Sequence, residues 1–185
     1  MSDLACAVAS LAAEQESRYL RYDFTGEVNI ELAPPGTDHG YTKLTLTAGV
    51  IDWQARELLG CCHCHYLAGA VHALTGWNMI AFFAAGDPGP SPRHTAVLTP
   101  QGRVLDINGV HGTPQDCIRG SDLEARPFST REANQLYDGH DEDDRFWWAR
   151  GQTDVAVAVF AHYARLLVSM HQQDLAGNHR DPEED

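Results

Sequence analysis

At 185 residues the chain can bury one sizeable core, and its 43% apolar content suits a soluble single-domain protein. A net charge of -13, from 26 acidic against 13 basic residues, argues against nucleic-acid or anionic-membrane partners. No apolar run approaches the roughly 18 to 20 residues that span a bilayer, and Met1-Ser2-Asp3-Leu4-Ala5-Cys6 lacks the basic flank of a secretory signal, so a cytoplasmic location is expected.

Five cysteines, three of them crowded at Cys61, Cys62 and Cys64, cannot all pair with one another and suit a reducing compartment. Much of the negative charge is local, in Asp138 to Asp144 and in Asp181 to Asp185. We therefore expect one α+β domain over residues 1–178 and a disordered acidic tail over 179–185.

In chain order, Leu4, Val8, Leu11 and Ala12 recur at helical spacing and predict a helix over about 3–20. Residues 27–32 and 41–47 alternate polar and apolar side chains across the turn-rich segment Pro34 to Gly40, which predicts a hairpin. Asp52 is placed to cap a short helix through Leu59 that ends at Gly60. From about Cys64 to Leu74 a second helix presents Leu67, Ala70, Val71 and Leu74, and Thr75-Gly76 stops it.

Asn78 to Ala84 reads as a buried strand, and Gly86 to Pro92 as a loop directly before His94. His94 to Leu98 and Arg103 to Asp106 flank Pro100-Gln101-Gly102, a three-residue hairpin loop with glycine at its last position. Asn108 to Gly112 is expected to be irregular and Thr113 to Asp116 to start a short helix. Ser129-Thr130-Arg131-Glu132 resembles a capping box for a helix to about Tyr137. The last helix runs over about 153–173, with Val155, Val159, Ala161, His162, Leu166 and Met170 at helical intervals.

The chemistry lies in the order of Cys64, His94 and Asp106, which suggests a nucleophile, its base and an orienting acid. A cysteine in the first turn of a helix feels the positive end of the helix dipole, which favours the thiolate. Strand side chains alternate, so an odd hairpin loop puts His94 and Asp106 on one face. In that register Thr99 faces Arg103, Ala96 faces Asp106, and Asp106 lies diagonally beside His94. Cys64 is favoured because it immediately precedes the most regular part of its helix. Cys61 or Cys62 takes the role if the helix begins about a turn earlier.

A competing reading gives the cluster Cys61, Cys62, His63, Cys64 and His65 to zinc, because Cys61-x-x-Cys64 has ligand-like spacing. Cys117 is the only later cysteine, and His94 or His111 would have to complete that shell.

Gly60-x-x-x-Cys64-His65-x-Leu67-Ala68-x-Ala70-x-x-x-Leu74-Thr75-Gly76-Trp77, followed by His94-x-Ala96-Val97 and Asp106-x-x-Gly109, resembles the papain-fold cysteine hydrolases in the broad sense. That grouping takes in NlpC-type amidases, transglutaminase-like enzymes and small bacterial deamidase or protease effectors. The resemblance covers about residues 60–110. It implies a papain-like fold, a nucleophile-bearing helix packed on an antiparallel sheet, with catalytic roles for Cys64, His94 and Asp106.

Gln54 stands where the resemblance implies an oxyanion-binding glutamine, although the main-chain N–H of Cys64 is the simpler donor. Asn108 and His111 are candidate substrate-binding residues from the loop after Asp106. Phe146-Trp147-Trp148 is a candidate cleft lining. The expectation is thus a cysteine hydrolase or acyltransferase, working on an amide bond of a peptide, protein or peptide-like substrate without cofactor or metal. The contrasting expectation is a binding protein, either zinc-holding or a papain-like scaffold without activity.

Overall fold

The computed structural model describes residue 19 and residues 23–32, 42–86, 91–118 and 121–177. The expected N-terminal helix apart from residue 19, the acidic tail, and residues 87–90 of the connection before His94 fall outside the described residues.

The first strands among the described residues form the expected hairpin. Strand β1 (Glu27–Leu32) pairs antiparallel with β2 (Thr42–Thr47), Glu27 opposite Thr47. Leu44 and Leu46, on one face of β2, are fully buried.

Asp52 caps helix α1 (Trp53–Arg56) as expected, its carboxylate accepting from the N–H groups of Gln54 and Ala55 at 3.0 Å each. The helix does not stop at Gly60. It widens into a π-helical turn over Glu57–Cys62 and breaks only at His63, whose N–H reaches back to the Leu58 carbonyl at 2.8 Å. Gly60 serves close packing: a Cβ there would stand 3.1 Å from Cγ2 of Ile107.

Helix α2 (Cys64–Thr75) follows and ends at Gly76, which adopts φ 74° as the left-handed cap. Its Leu67, Ala70 and Val71 are buried, while Leu74 is only half-buried.

Strands β3 (Asn78–Ala84), β4 (His94–Leu98), β5 (Val104–Asp106), β6 (Gly109–His111) and β7 (Leu123–Phe128) form one antiparallel sheet in the order β6-β5-β4-β3-β7. Two of these strands differ from expectation. The segment expected to be irregular contains β6, which turns back on β5 after Ile107-Asn108 with Asp106 opposite Gly109. Strand β7, for which the sequence carries no clear pattern, lies at the sheet edge with Pro127 opposite Ile80. An edge is where a sheet tolerates proline, whose missing N–H leaves no ladder bond broken inside.

Helix α3 (Pro114–Cys117) is a single turn with a complete capping box between Thr113 and Asp116. Helix α4 (Thr130–Asp138) carries the expected box between Ser129 and Glu132. After a 3-10 turn (Trp147–Ala149) comes α5 (Asp154–Gly177), the last element among the described residues.

Helix α2 packs against β4, with lighter contact to β3 and β5, and α5 packs on α2. The main core lies among these elements and includes Leu67, Val71, Met79, Val97, Leu105 and Tyr163. A smaller cluster of Ile80, Phe82, Ala96 and Val104 covers the opposite sheet face, with Cys117, Ile118 and Leu123 against it. The alternating side chains of β3 feed both clusters, which is why the whole strand reads as apolar.

Two aromatic and aliphatic expectations need correction. Phe146, Trp147 and Trp148 line no cleft; their exposures are 7%, 0% and 0%. Gly69 makes room for them, since a Cβ there would lie 2.9 Å from both indole side chains. On α5, Val159 and Ala161 are buried as expected, but Val155 and Met170 are exposed, and the buried face also takes in Val157, Phe160, Ala164, Leu167 and His171. Among the described residues no helix is long and apolar enough to cross a membrane. The chain is thus a mixture of helix and antiparallel sheet, of α+β type.

Candidate active site

The β4–β5 hairpin has the parity that the sequence implies. Val97 pairs with Leu105 and Leu98 with Val104, and Thr99 N–H donates to the Arg103 carbonyl at 2.8 Å. Gly102 takes φ 76° at the end of the three-residue loop. Continuing this register sets Asp106 diagonally beside His94, and their side chains meet, His94 Nε2 lying 2.9 Å from Asp106 Oδ2. His94 also stacks on Phe82, its cross-strand partner, at 5.7 Å between centroids.

Asp106 is the hub of the site, with only 4% of its side chain exposed. Its Oδ1 accepts from Asn108 N–H at 2.8 Å and lies 3.0 Å from His111 Nε2. The Cys117 thiol donates to Oδ2 at 3.6 Å. Burial alone would raise the carboxyl pKa, but the hydrogen bonds from His94 and His111 outweigh it and hold the group at about 2.

The other nitrogen of His94, Nδ1, lies 3.2 Å from the Gly60 carbonyl oxygen. A ring with an acceptor at each nitrogen is best satisfied as the doubly protonated imidazolium. Burial opposes that charge. The bonds to Asp106, Cys117 and Cys64 overcome it and push His94 up to about 12.

Cys64 is the first residue of α2, is 7% exposed and lies within hydrogen-bonding reach of His94. Cys61, by contrast, is exposed. Its thiol is held above the usual range by burial and by the neighbouring charges of Glu57 and Cys64, against a smaller opposing pull from His94. Cys117 is likewise raised, chiefly by burial.

The group opens onto a cavity of about 510 Å³ whose walls include Trp53, Arg56, Glu57, Cys61, His94 and Asp106. Cys64 is not among the residues that line it. A larger cavity of about 670 Å³ lies elsewhere, along β3, β7 and the start of α4, and contains none of Cys64, His94 and Asp106. We place the site at the smaller one because His94, Asp106, Cys117 and Cys61 line it.

The structure therefore brings Cys64, His94 and Asp106 together, and it redirects the three candidate binding residues. Gln54 does not line the site cavity; its Oε1 accepts from Thr45 N–H at 2.7 Å and ties α1 to β2. Asn108 lines the cavity but spends its backbone N–H on Asp106. His111, on β6, holds Asp106 from the other side.

His65, next to Cys64 in sequence, turns into the aromatic core and stacks on Tyr137 at 3.9 Å and 11°. Burial, reinforced by His63, pulls its pKa down to about 3. Among the described residues the tight metal-type donor group is His94, Asp106 and Cys117, with ligand atoms all within 4.8 Å of one another. Of the run from Cys61 to His65, no described side chain belongs to it. The sequence offers Cys117 only as a later partner for the Cys61 to His65 run in a zinc shell; the structure sets it beside His94 and Asp106 instead, on the capped turn of α3.

No family profile, curated protein or solved structure matches this chain.

Proposed function

We propose that the chain is a cysteine hydrolase or acyltransferase acting on an amide bond, with a papain-like arrangement of a nucleophile-bearing helix on an antiparallel sheet. The observation that carries this reading is the placement of one imidazole: His94 has Asp106 on Nε2, the Gly60 carbonyl on Nδ1, and Cys64 within hydrogen-bonding reach of the ring. That is the arrangement of a base held in one orientation by an acid and presented to a thiol.

In this mechanism His94 and Cys64 share one proton, which His94 holds when the thiolate attacks the substrate carbonyl carbon. The main-chain N–H at the start of α2 meets the developing oxyanion. His94 returns its proton to the departing amine, leaving a thioester on Cys64. Water, deprotonated by His94, then releases the acid and regenerates the thiol; a second amine in place of water gives acyl transfer. Asp106 stays ionised throughout and stabilises the imidazolium.

The substrate is a peptide, a protein or a peptide-like metabolite, and the site sits in a cytoplasmic enzyme. Excess negative charge disfavours acidic substrates. Trp53, 66% exposed on the cavity wall, offers an apolar platform for a substrate side chain.

Cys61 faces the cavity more openly than Cys64, so the experiment must separate them. Iodoacetamide alkylation of each cysteine is followed across pH by mass spectrometry, in the native protein and in His94→Ala. The expected result is that Cys64 reacts faster than Cys61 and Cys117 below neutral pH and loses that advantage in His94→Ala. A His94-dependent reaction at Cys61 would transfer the nucleophile's role to Cys61. Slow alkylation of every cysteine in the folded protein would overturn the catalytic reading.

A further inference from the structure

We propose that His94, Asp106 and Cys117 form a binding site for a borderline divalent cation of the Zn2+ type, and that its occupation silences Cys64. The second half rests on the proposed catalytic role of Cys64; the first half does not.

Cys117 has no part in the acyl-transfer steps, yet its thiol is directed at Asp106 Oδ2, 3.6 Å away. The same oxygen lies 2.9 Å from His94 Nε2. Tetrahedral zinc with bonds of about 2.0 Å to oxygen, about 2.05 Å to nitrogen and about 2.3 Å to sulfur requires about 3.3 Å between O and N, and about 3.5 Å between O and S. The two sides that meet at Asp106 Oδ2 therefore need shifts of only a few tenths of an ångström, and the third side is already within 4.8 Å.

The surroundings of the donors also match a metal site. A ligating histidine characteristically donates its second N–H to a carbonyl or carboxylate. His94 Nδ1 faces the Gly60 carbonyl at 3.2 Å. A ligating carboxylate is characteristically anchored through its other oxygen, and Asp106 Oδ1 accepts from Asn108 N–H with His111 Nε2 at 3.0 Å. Cys117 is fixed by the capped turn of α3 and packs beside Ile118 against the smaller apolar cluster.

One nitrogen, one carboxylate oxygen and one sulfur suit zinc over magnesium or calcium, which prefer all-oxygen shells. His94 and Asp106 both line the cavity, so a fourth position is open to water from that side.

Binding the ion exchanges protons for metal: His94 Nε2 and the Cys117 thiol each give up a proton and gain a bond to the cation. The remaining proton of His94 then sits on Nδ1, directed at the Gly60 carbonyl. With Nε2 metallated, the ring can release its Nδ1 proton only by becoming an imidazolate, so it no longer passes a proton to the departing amine or takes one from water, and the imidazolium that pairs with the Cys64 thiolate is gone. Cation binding and acyl transfer are therefore mutually exclusive at this site.

The test titrates metal-free full-length protein with Co2+ as a spectroscopic stand-in, then displaces it with Zn2+. Expected are one equivalent bound, tetrahedral visible bands and a thiolate-to-cobalt charge-transfer band. Cys117→Ser should lose that band and bind Zn2+ at least about tenfold more weakly, whereas Cys61→Ser should keep both. In parallel, one equivalent of Zn2+ should slow alkylation of Cys64 in the wild type, reversibly with chelator, and leave the rate in Cys117→Ser unchanged.

A wild type with no charge-transfer band overturns the site, and this result holds even if Cys117→Ser does not fold. Loss of the band in Cys61→Ser, with Cys117→Ser unaffected, overturns the ligand assignment. A cysteine-bound ion in a protein whose Cys64 is unreactive when metal-free upholds the site and removes the catalytic reading, so the two failures are distinguishable.

Discussion

Acidification should reveal His65, because this ring is neutral in the folded chain and becomes protonated when the chain unfolds. It is sandwiched among aromatic rings, 3.9 Å from Tyr137 and 4.2 Å from Tyr66 between centroids, with Trp147 beyond. Burial and the nearby His63 lower its pKa from 6.5 to about 3. The sign follows directly. Above the unfolded value neither state binds the proton and the stabilisation is fully present; as pH falls from about 6.5 toward about 3, only the unfolded chain binds it and stability is lost.

Each pH unit in that window costs about 1.4 kcal/mol, so acidification from near pH 7 to about pH 4.5 removes about 2 to 3 kcal/mol through this one residue. His65→Phe keeps a flat ring in the stack and abolishes the titration. Urea unfolding followed by tryptophan fluorescence, at both pH values and for both proteins, isolates the difference from the many carboxylates, which are common to the two. The wild type should lose about 2 to 3 kcal/mol more than the variant over this interval. Equal losses would mean that the folded protein accommodates a charged His65, and the aromatic-core placement would be wrong.

Gly69→Ala sets helix propensity against packing. Alanine gains up to about 1 kcal/mol in a helix interior, but its Cβ would stand 2.9 Å from Trp147 and Trp148, and overpacking of a core costs about 1 to 3 kcal/mol. The net expectation is a loss of about 1 to 2 kcal/mol in urea unfolding; a stabilised variant would show that the indoles retreat freely. Asp106→Asn should leave Cys64 open to alkylation and slow acyl transfer by orders of magnitude, about 10⁴ in related triads. An unchanged rate on a substrate that the wild type turns over would remove Asp106 from the mechanism.

The parts of the site legible in the sequence are those governed by local rules. Loop parity between Leu98 and Arg103 is a property of six or seven adjacent residues, and it placed His94 and Asp106 on one face. The start of α2 at Cys64 and its stop at Gly76 are equally local. What was not legible depends on partners distant in the chain. Strand β7 has a weak pattern and a proline, and it is a strand because β3 offers it an edge. Cys117 reaches Asp106 only because β6 folds back on β5 and a capped turn follows. Gly60 looked like a helix stop because its packing partner, Ile107, is 47 positions away. His65 directly follows Cys64, yet successive residues of a helix point about 100° apart, and the His65 ring turns into the aromatic core.

That angular rule also explains why the π-helical turn matters to the site. His94 shares its sheet face with Phe82, Ala96 and Val104, whereas α2 packs on the opposite face. The two can meet only at the end of the sheet, where His94 is the first residue of β4 and Cys64 the first residue of α2. Each residue in a regular helix advances the side-chain direction by about 100° and the rise by about 1.5 Å. Widening the backbone over Glu57–Cys62 therefore changes where the chain enters α2 and leaves the Gly60 carbonyl facing His94 Nδ1. An uninterrupted α-helix from Trp53 onward would bond the Gly60 carbonyl to its own next turn and carry Cys64 to another azimuth. The irregular turn thus couples the two sheet faces at one imidazole, in keeping with the occurrence of π-bulges at functional sites.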